Sequence, residues 1–220
     1  MKLFRIILLF VAVSGLLGLL SMAVAVDDKP ADRPAAANLQ HYRTWNLRMA
    51  DSAVGLLHTG DVVLRMGMGA QSQLLAQMNR GRKDYSHCGI VLMEKGYPFV
   101  YHCIGGEDNP DARLRRDSAA RFFAPDRQMA IGIVRYNADT LAERNIIRAY
   151  YRRRPRFDMQ FDMSTDDKLY CTEFVYKVLV QTTGDEGCIP TDTVMGHRFV
   201  GTANLCTNNN AVMVWQVKFK

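Results

Sequence analysis

The sequence predicts an α+β domain in which an antiparallel sheet carries helices packed against it. Three observations lead there. Two β-rich runs meet at Lys95-Gly96, a hairpin signal. Several longer segments space their apolar residues as a helix does. The resulting order of helix, strand, helix, hairpin, strand, helix, helix, strand groups the strands and segregates the helices. At 220 residues, 48% hydrophobic and 23% charged, the chain has the balance of an ordinary folded protein with one main domain.

Residues 1–25 open with Lys2 and Arg5, run apolar from Ile6 to about Leu20 and end on the small residues Ala23-Val24-Ala25. This is the pattern of a secretory signal peptide with an A-x-A cleavage site, and an uncleaved membrane anchor is the competing reading. No cysteine follows the apolar run, so a lipid anchor is not indicated. Residues 26–38 are polar and proline-bearing and are expected to form a flexible leader, which leaves 39–220 as the folded domain. Export would place the protein in the periplasm or outside the cell.

Leu39 to Leu57 has helical spacing, and Thr59-Gly60-Asp61 breaks it before the strand Val62 to Met66. Gln71 to Asn79 reads as a short helix. Cys88 to Met93 and Tyr97 to Ile104 form the hairpin, and Gly105 to Pro110 is a loop. Ser118 to Phe123 reads as a short helix, Ile131 to Tyr136 as a strand and Ala138 to Arg153 as an amphipathic helix. The stretch from Arg154 to Lys168 is a loop, Leu169 to Thr182 an apolar helix and Ala211 to Phe219 a terminal strand.

The formal charge is +6, of which Lys2 and Arg5 supply two, so the mature chain carries +4. The excess is spread out apart from Arg113, Arg115 and Arg116 and the run Arg152 to Arg154, a solvated helix end. No aromatic residues interleave with it, so no nucleic-acid partner is expected, whereas association with an anionic membrane surface is compatible. G-x-G-x-x-G, G-x-x-x-x-G-K and H-E-x-x-H are all absent, and no cofactor or metal is expected.

Chemistry concentrates in two segments. In Leu169-Tyr170-Cys171-Thr172-Glu173-Phe174, a cysteine opens an apolar helix behind a polar loop. The N-terminal field of a helix favours the thiolate there, although a buried structural cysteine is the alternative. In the hairpin, His87 and His102 share parity. A two-residue turn at Lys95-Gly96 sets Cys88 opposite Cys103 and the two imidazoles diagonally on the other face, where one can orient the other. Cys171 should be a free thiol. Cys188 and Cys206, both in the loop-rich tail, are the expected disulfide, while Cys88 and Cys103 are either a strained cross-strand bridge or two buried thiols.

Together with Gly60-Asp61-Val62-Val63-Leu64, Tyr85-Ser86-His87-Cys88-Gly89-Ile90-Val91, Val100-Tyr101-His102 and Phe157-Asp158, these residues resemble the NlpC-type cysteine hydrolases in their circularly permuted, papain-like form, in particular the YiiX-like branch. The resemblance spans roughly residues 55–180. It implies a nucleophile at Cys171, a general base at His87 and an orienting residue at His102, where the YiiX-like pattern often has glutamate. Tyr170, Asp158 and Asp162 are not assigned catalytic roles. The implied activity is a secreted thiol hydrolase acting on an amide of cell-wall peptides. A lipid acyl hydrolase or acyltransferase, and a non-catalytic envelope-binding module, are the competing readings.

Overall fold

The computed structural model describes residues 36–105, 112–194 and 196–220. The chain divides into Met1–Leu39 and Gln40–Lys220, and nearly all described residues belong to the second unit. The expected signal segment and most of the leader, together with most of the loop after Gly105, lie outside the described residues. Among the described residues, no helix is long and apolar enough to cross a membrane.

In chain order the elements are α1 (Ala36–Gly55), β1 (Val62–Gly67), α2 (Ala70–Gln77), β2 (His87–Glu94), β3 (Tyr97–His102), β4 (Arg115–Ser118), α3 (Ala119–Phe122), β5 (Gln128–Arg135) and α4 (Thr140–Arg153). There follow β6 (Arg156–Phe157), β7 (Lys168–Leu169), α5 (Cys171–Thr183), β8 (Asp192–Val194), β9 (His197–Phe199), α6 (Thr202–Cys206) and β10 (Val212–Lys218). A six-stranded sheet runs β10-β5-β1-β2-β3-β4, antiparallel throughout. The pairs β6-β7, which is parallel, and β8-β9 stand apart from it.

Side-chain alternation gives this sheet two covered faces. Leu64, Cys88, Ile90 and Leu92 pack with Ile147 and Tyr150 of α4 and with Phe174, Val175 and Val178 of α5. Val63, Val91, Val100, Ile131 and Ile133 pack with Ala50 and Ala53 of α1 and with Ala119 and Phe122 of α3. The helices are therefore on both faces rather than segregated. Runs such as Val62-Val63-Leu64 are apolar on both sides and need cover on both. Each fully buried aliphatic or aromatic side chain contributes about 1.5–3 kcal/mol relative to exposure.

The hairpin has the expected two-residue turn. Glu94 pairs with Tyr97, and Lys95 and Gly96 have φ of 51° and 85°, the left-handed pair that matches strand twist. Asp139 caps α4 by accepting from the amides of Leu141 and Ala142. At the other end of α5, Gly184 with φ of 70° donates its N–H to the Val180 carbonyl.

Candidate active site

Cys171 is the first residue of the thirteen-residue α5, and it packs on the sheet face that carries Cys88. Glu173 anchors this turn by accepting from the Tyr170 amide at 3.1 Å. Tyr170 itself packs. Its ring stacks on Phe199 with 5.7 Å between centroids, and its hydroxyl accepts from the Val200 amide.

The sulfur of Cys171 lies against β2, next to where its pairing with β3 ends. β2 bonds to β1 through its odd-numbered residues, as in the 2.9 Å bond from the Val91 amide to the Asp61 carbonyl, so its even-numbered amides point toward β3. The β2–β3 ladder nevertheless stops at Ile90 and Tyr101, although β2 continues to His87 and β3 to His102. The unclaimed Cys88 N–H is taken by the Cys171 sulfur. This amide belongs to the peptide bond that leaves His87, so nucleophile and histidine adjoin across one peptide unit.

Four groups favour the Cys171 thiolate and lower its pKa against the opposing effect of burial. The Cys88 thiol hydrogen bond is the largest, followed by the backbone N–H groups of Cys88, Thr172 and Cys171. Burial and the same thiol contact push Cys88 well up, so Cys88 is the donor of the pair. Cys88 is wholly buried, whereas Cys171 is partly exposed.

On the other face, His87 and His102 meet as their parity predicts, with His87 Nε2 2.9 Å from His102 Nδ1. The chain then extends beyond the residues the sequence singled out. His102 Nε2 lies 3.2 Å from Asp117 Oδ2 on β4, and Arg115 Nε donates to Asp117 Oδ1 at 3.0 Å. Gly89 makes room for this arrangement, since a Cβ there would lie 2.5 Å from Val100 Cγ1 and 3.0 Å from His102 Cβ. Phe122 covers both imidazoles, at 5.8 and 5.2 Å between ring centroids.

The charges fix the tautomers. Burial opposes ionisation of Asp117, but the hydrogen bond from His102 and the charge and hydrogen bond of Arg115 outweigh it and hold the carboxyl below its ordinary value. Burial pushes His102 below its ordinary value, offset in part by Asp117. It pushes His87 well below, with Arg65 and His102 acting in the same direction. An ionised Asp117 only accepts, so a neutral His102 donates from Nε2 and accepts at Nδ1. His87 must then donate from Nε2, which leaves the lone pair on its Nδ1.

Of the expected three residues, His87 and His102 are in direct contact, and Cys171 lies on the opposite face of the sheet, linked to them only through the amide of Cys88, the residue that follows His87. There is no direct His87–Cys171 hydrogen bond in this state, a common condition of free catalytic pairs. Asp117 and Cys88 were missed. Asp117 lies in a charged stretch that carries no strand signal, and Cys88 looks like one more apolar strand residue.

Other expectations resolve as structural. Asp158 is buried and shapes its loop by accepting from the amides of Gln160 and Asp162. Asp162 accepts from the Ser164 amide. Gly60 has φ of 89°, and Asp61 binds Arg135 at 2.7 Å. The expected Cys188–Cys206 disulfide is absent, since all five cysteines are free thiols. Cys206 instead donates to the Ala203 carbonyl within its own helix, and Cys188 meets the Thr183 side chain. Among the described residues, no three His, Cys, Asp or Glu side chains converge as metal ligands.

The fold is an α+β domain of a kind seen before. The structure is similar to the crystal structure of metalloprotein yiiX from Escherichia coli O157:H7, with a TM-score of 0.59 at 16% identity, covering 73% of this chain and 98% of that one. No family model and no curated protein matches the sequence.

Proposed function

We propose that this chain is a thiol hydrolase of the circularly permuted papain-like type, with Cys171 as nucleophile, His87 as general base, and His102 and Asp117 as positioning residues. The observation that carries the reading is the continuous Asp117–His102–His87 chain, whose last residue directly precedes Cys88, the residue whose amide faces the helix-terminal thiol of Cys171. Neither a recognition module nor a structural core needs that combination.

In this mechanism Cys171 attacks a carbonyl carbon while His87 Nδ1 takes the thiol proton. The proton then passes to the leaving amine as the C–N bond breaks, and water hydrolyses the resulting thioester with His87 again as base. The N–H groups of Cys171 and Thr172, which face the sulfur, are the donors nearest the developing oxyanion. His102 keeps His87 in the tautomer this proton transfer requires.

The substrate we propose is an amide in cell-wall peptides, because the signal-like N-terminus and mildly basic charge suit an exported envelope protein. One observation favours a lipid acyl substrate as the second reading. Phe157, Phe161, Tyr170 and Phe199 form a chain of ring contacts from 5.2 to 6.5 Å beside the nucleophile, and Phe161 holds an unusual φ of 55°.

The test is to incubate the protein and its Cys171→Ala variant with purified peptidoglycan and with phospholipid vesicles and to identify products by mass spectrometry. Wild-type products absent from the variant support the mechanism, and their identity decides the substrate. Products that persist in Cys171→Ala would overturn it.

A further inference from the structure

We propose that segment 200–203 is a strap that ties the turn carrying Cys171 to the strand carrying His87, and that Thr202 within it is a positioning residue for the thiol. The inference rests on the nucleophile reading above and adds to it a device that lies outside the residues carrying the family resemblance.

The strap is bonded on both sides. Toward the nucleophile, Val200 is held by the two residues that flank Cys171. Its carbonyl accepts from Thr172 Oγ1 at 2.6 Å, and its amide donates to the Tyr170 hydroxyl at 3.1 Å. Toward the histidines, Thr202 Oγ1 lies 2.9 Å from the Tyr85 carbonyl and 3.1 Å from Asn79 Oδ1, and its one proton serves both acceptors. Asn79 Oδ1 also accepts from the Ala203 amide at 3.1 Å, while its Nδ2 donates to the Tyr85 carbonyl at 3.3 Å. Tyr85 stands two residues before His87 on the approach to β2. Every residue of this network is buried, so water does not compete for its bonds.

The apolar packing of α5 on the sheet is non-directional and does not by itself fix where the Cys171 turn stops along β2. Hydrogen bonds of set length and angle do. The strap supplies them from a third part of the chain, remote in sequence from both the cysteine and the histidine. Gly201 lets it pass this close, since a Cβ there would lie 2.3 Å from Asn79 Oδ1. Thr202 bonds neither the thiol nor an imidazole, so its influence on the site runs only through Tyr85 on one side and Val200 on the other.

The experiment compares the full chain with Thr202→Val, which keeps the shape and loses the hydroxyl, and with Thr202→Ser, which keeps the hydroxyl. Thr202→Val should fold, because Asn79 remains a donor to the Tyr85 carbonyl and Ala203 a donor to Asn79 Oδ1. Circular dichroism and a urea midpoint check this. If it does not fold, Tyr170→Phe cuts the strap at its other end while keeping the ring on Phe199, and is read in the same way. The readout that needs no substrate is the pH midpoint of iodoacetamide alkylation at Cys171. Helix N-terminal N–H groups favour the thiolate, so a turn that slips raises the midpoint, whereas easier access changes only the rate. Thr202→Val should raise it, and Thr202→Ser should restore it. On the product that the wild type releases, Thr202→Val should lower kcat by roughly 10- to 100-fold with KM unchanged.

An unchanged midpoint in folded Thr202→Val overturns the strap, as does a Thr202→Ser variant impaired as much as Thr202→Val, or a rise in KM with kcat intact. Hydrolysis by Cys171→Ala is a separate readout. An active Cys171→Ala beside a raised midpoint in Thr202→Val defeats the hydrolase reading and leaves the strap standing. An inactive Cys171→Ala beside an unmoved midpoint does the reverse.

Discussion

Asp117→Asn should damage the site more than Asp117→Ala, the reverse of what the conservative change suggests. Asp117 uses its two oxygens differently, with Oδ1 accepting from Arg115 Nε at 3.0 Å and Oδ2 facing His102 Nε2 at 3.2 Å. Arg115 can only donate, so the amide oxygen of an asparagine must face it, which turns the NH2 group toward His102. His102 then has to accept at Nε2 and carry its proton on Nδ1. His87 in turn must accept at Nε2, and its Nδ1 becomes an N–H with no lone pair for the thiol. Restoring the working tautomer sets two donors against each other in a buried place, at a cost of about 1–3 kcal/mol. At about 1.4 kcal/mol per decade of rate, that is a loss of roughly 5- to 150-fold. Alanine imposes no tautomer and lets water meet His102, so its loss should be smaller. The assay is the pH profile of iodoacetamide alkylation at Cys171, read beside hydrolysis, with imidazole nitrogen NMR reporting the tautomers. Asp117→Asn activity equal to or above that of Asp117→Ala, with unchanged tautomers, would refute the relay.

Three further outcomes are expected. Cys171→Ala and His87→Ala should each abolish hydrolysis with the fold intact and without additive loss in the double variant, whereas His102→Gln should recover part of the rate that His102→Ala loses; equal rates for the His102 variants would remove it from the site. Because burial depresses the folded-state values of His87 and His102, their stabilising contribution is complete above the unfolded value of about 6.5 and is lost as pH falls through it toward the folded values, so the urea midpoint should drop between about pH 7 and pH 5. A flat midpoint in a wild-type titration, or an equal drop in a His87→Gln, His102→Gln double variant, would count against this. Gly89→Ala should cost about 1–3 kcal/mol through overpacking, since its Cβ would meet the Tyr101 carbonyl oxygen at 2.8 Å, and an unchanged denaturation midpoint would contradict the packing described.

The hairpin and the meeting of its two histidines were legible because one local signal determines both. A two-residue Lys95-Gly96 turn fixes the register, and register fixes which side chains share a face. β4 was not legible. Arg115-Arg116-Asp117-Ser118 has neither alternation nor β-branched residues, and it is a strand only because its charges have partners on the hairpin. Arg116 binds Glu94 at 2.5 Å and lies over the Phe99 ring at 3.4 Å, while Asp117 reaches His102. Charge on an edge strand also discourages further pairing, so this composition suits its position. The three-residue strands β8 and β9 and the five-residue α6 are too short for any periodicity to show.

The placement of Cys171 depends on a feature that no local pattern encodes, the early end of the β2–β3 ladder. Had pairing continued one step on this face, the Cys103 carbonyl would have taken the Cys88 N–H, and the sulfur would have lost a backbone donor. Alternation adds a second requirement. His87 belongs to the face lined by Phe122, and Cys171 to the face lined by Cys88 and Ile90, so the two can approach only where the sheet has an opening. The strand register that sets His102 diagonally across from His87 and the parting of the strands that admits the sulfur must therefore occur at the same end of one hairpin. Gly89 sits between these demands. It gives His102 the space to lie against β2 while keeping the last ladder pair in place next door, which makes it as much a part of the site's geometry as the residues that carry the chemistry.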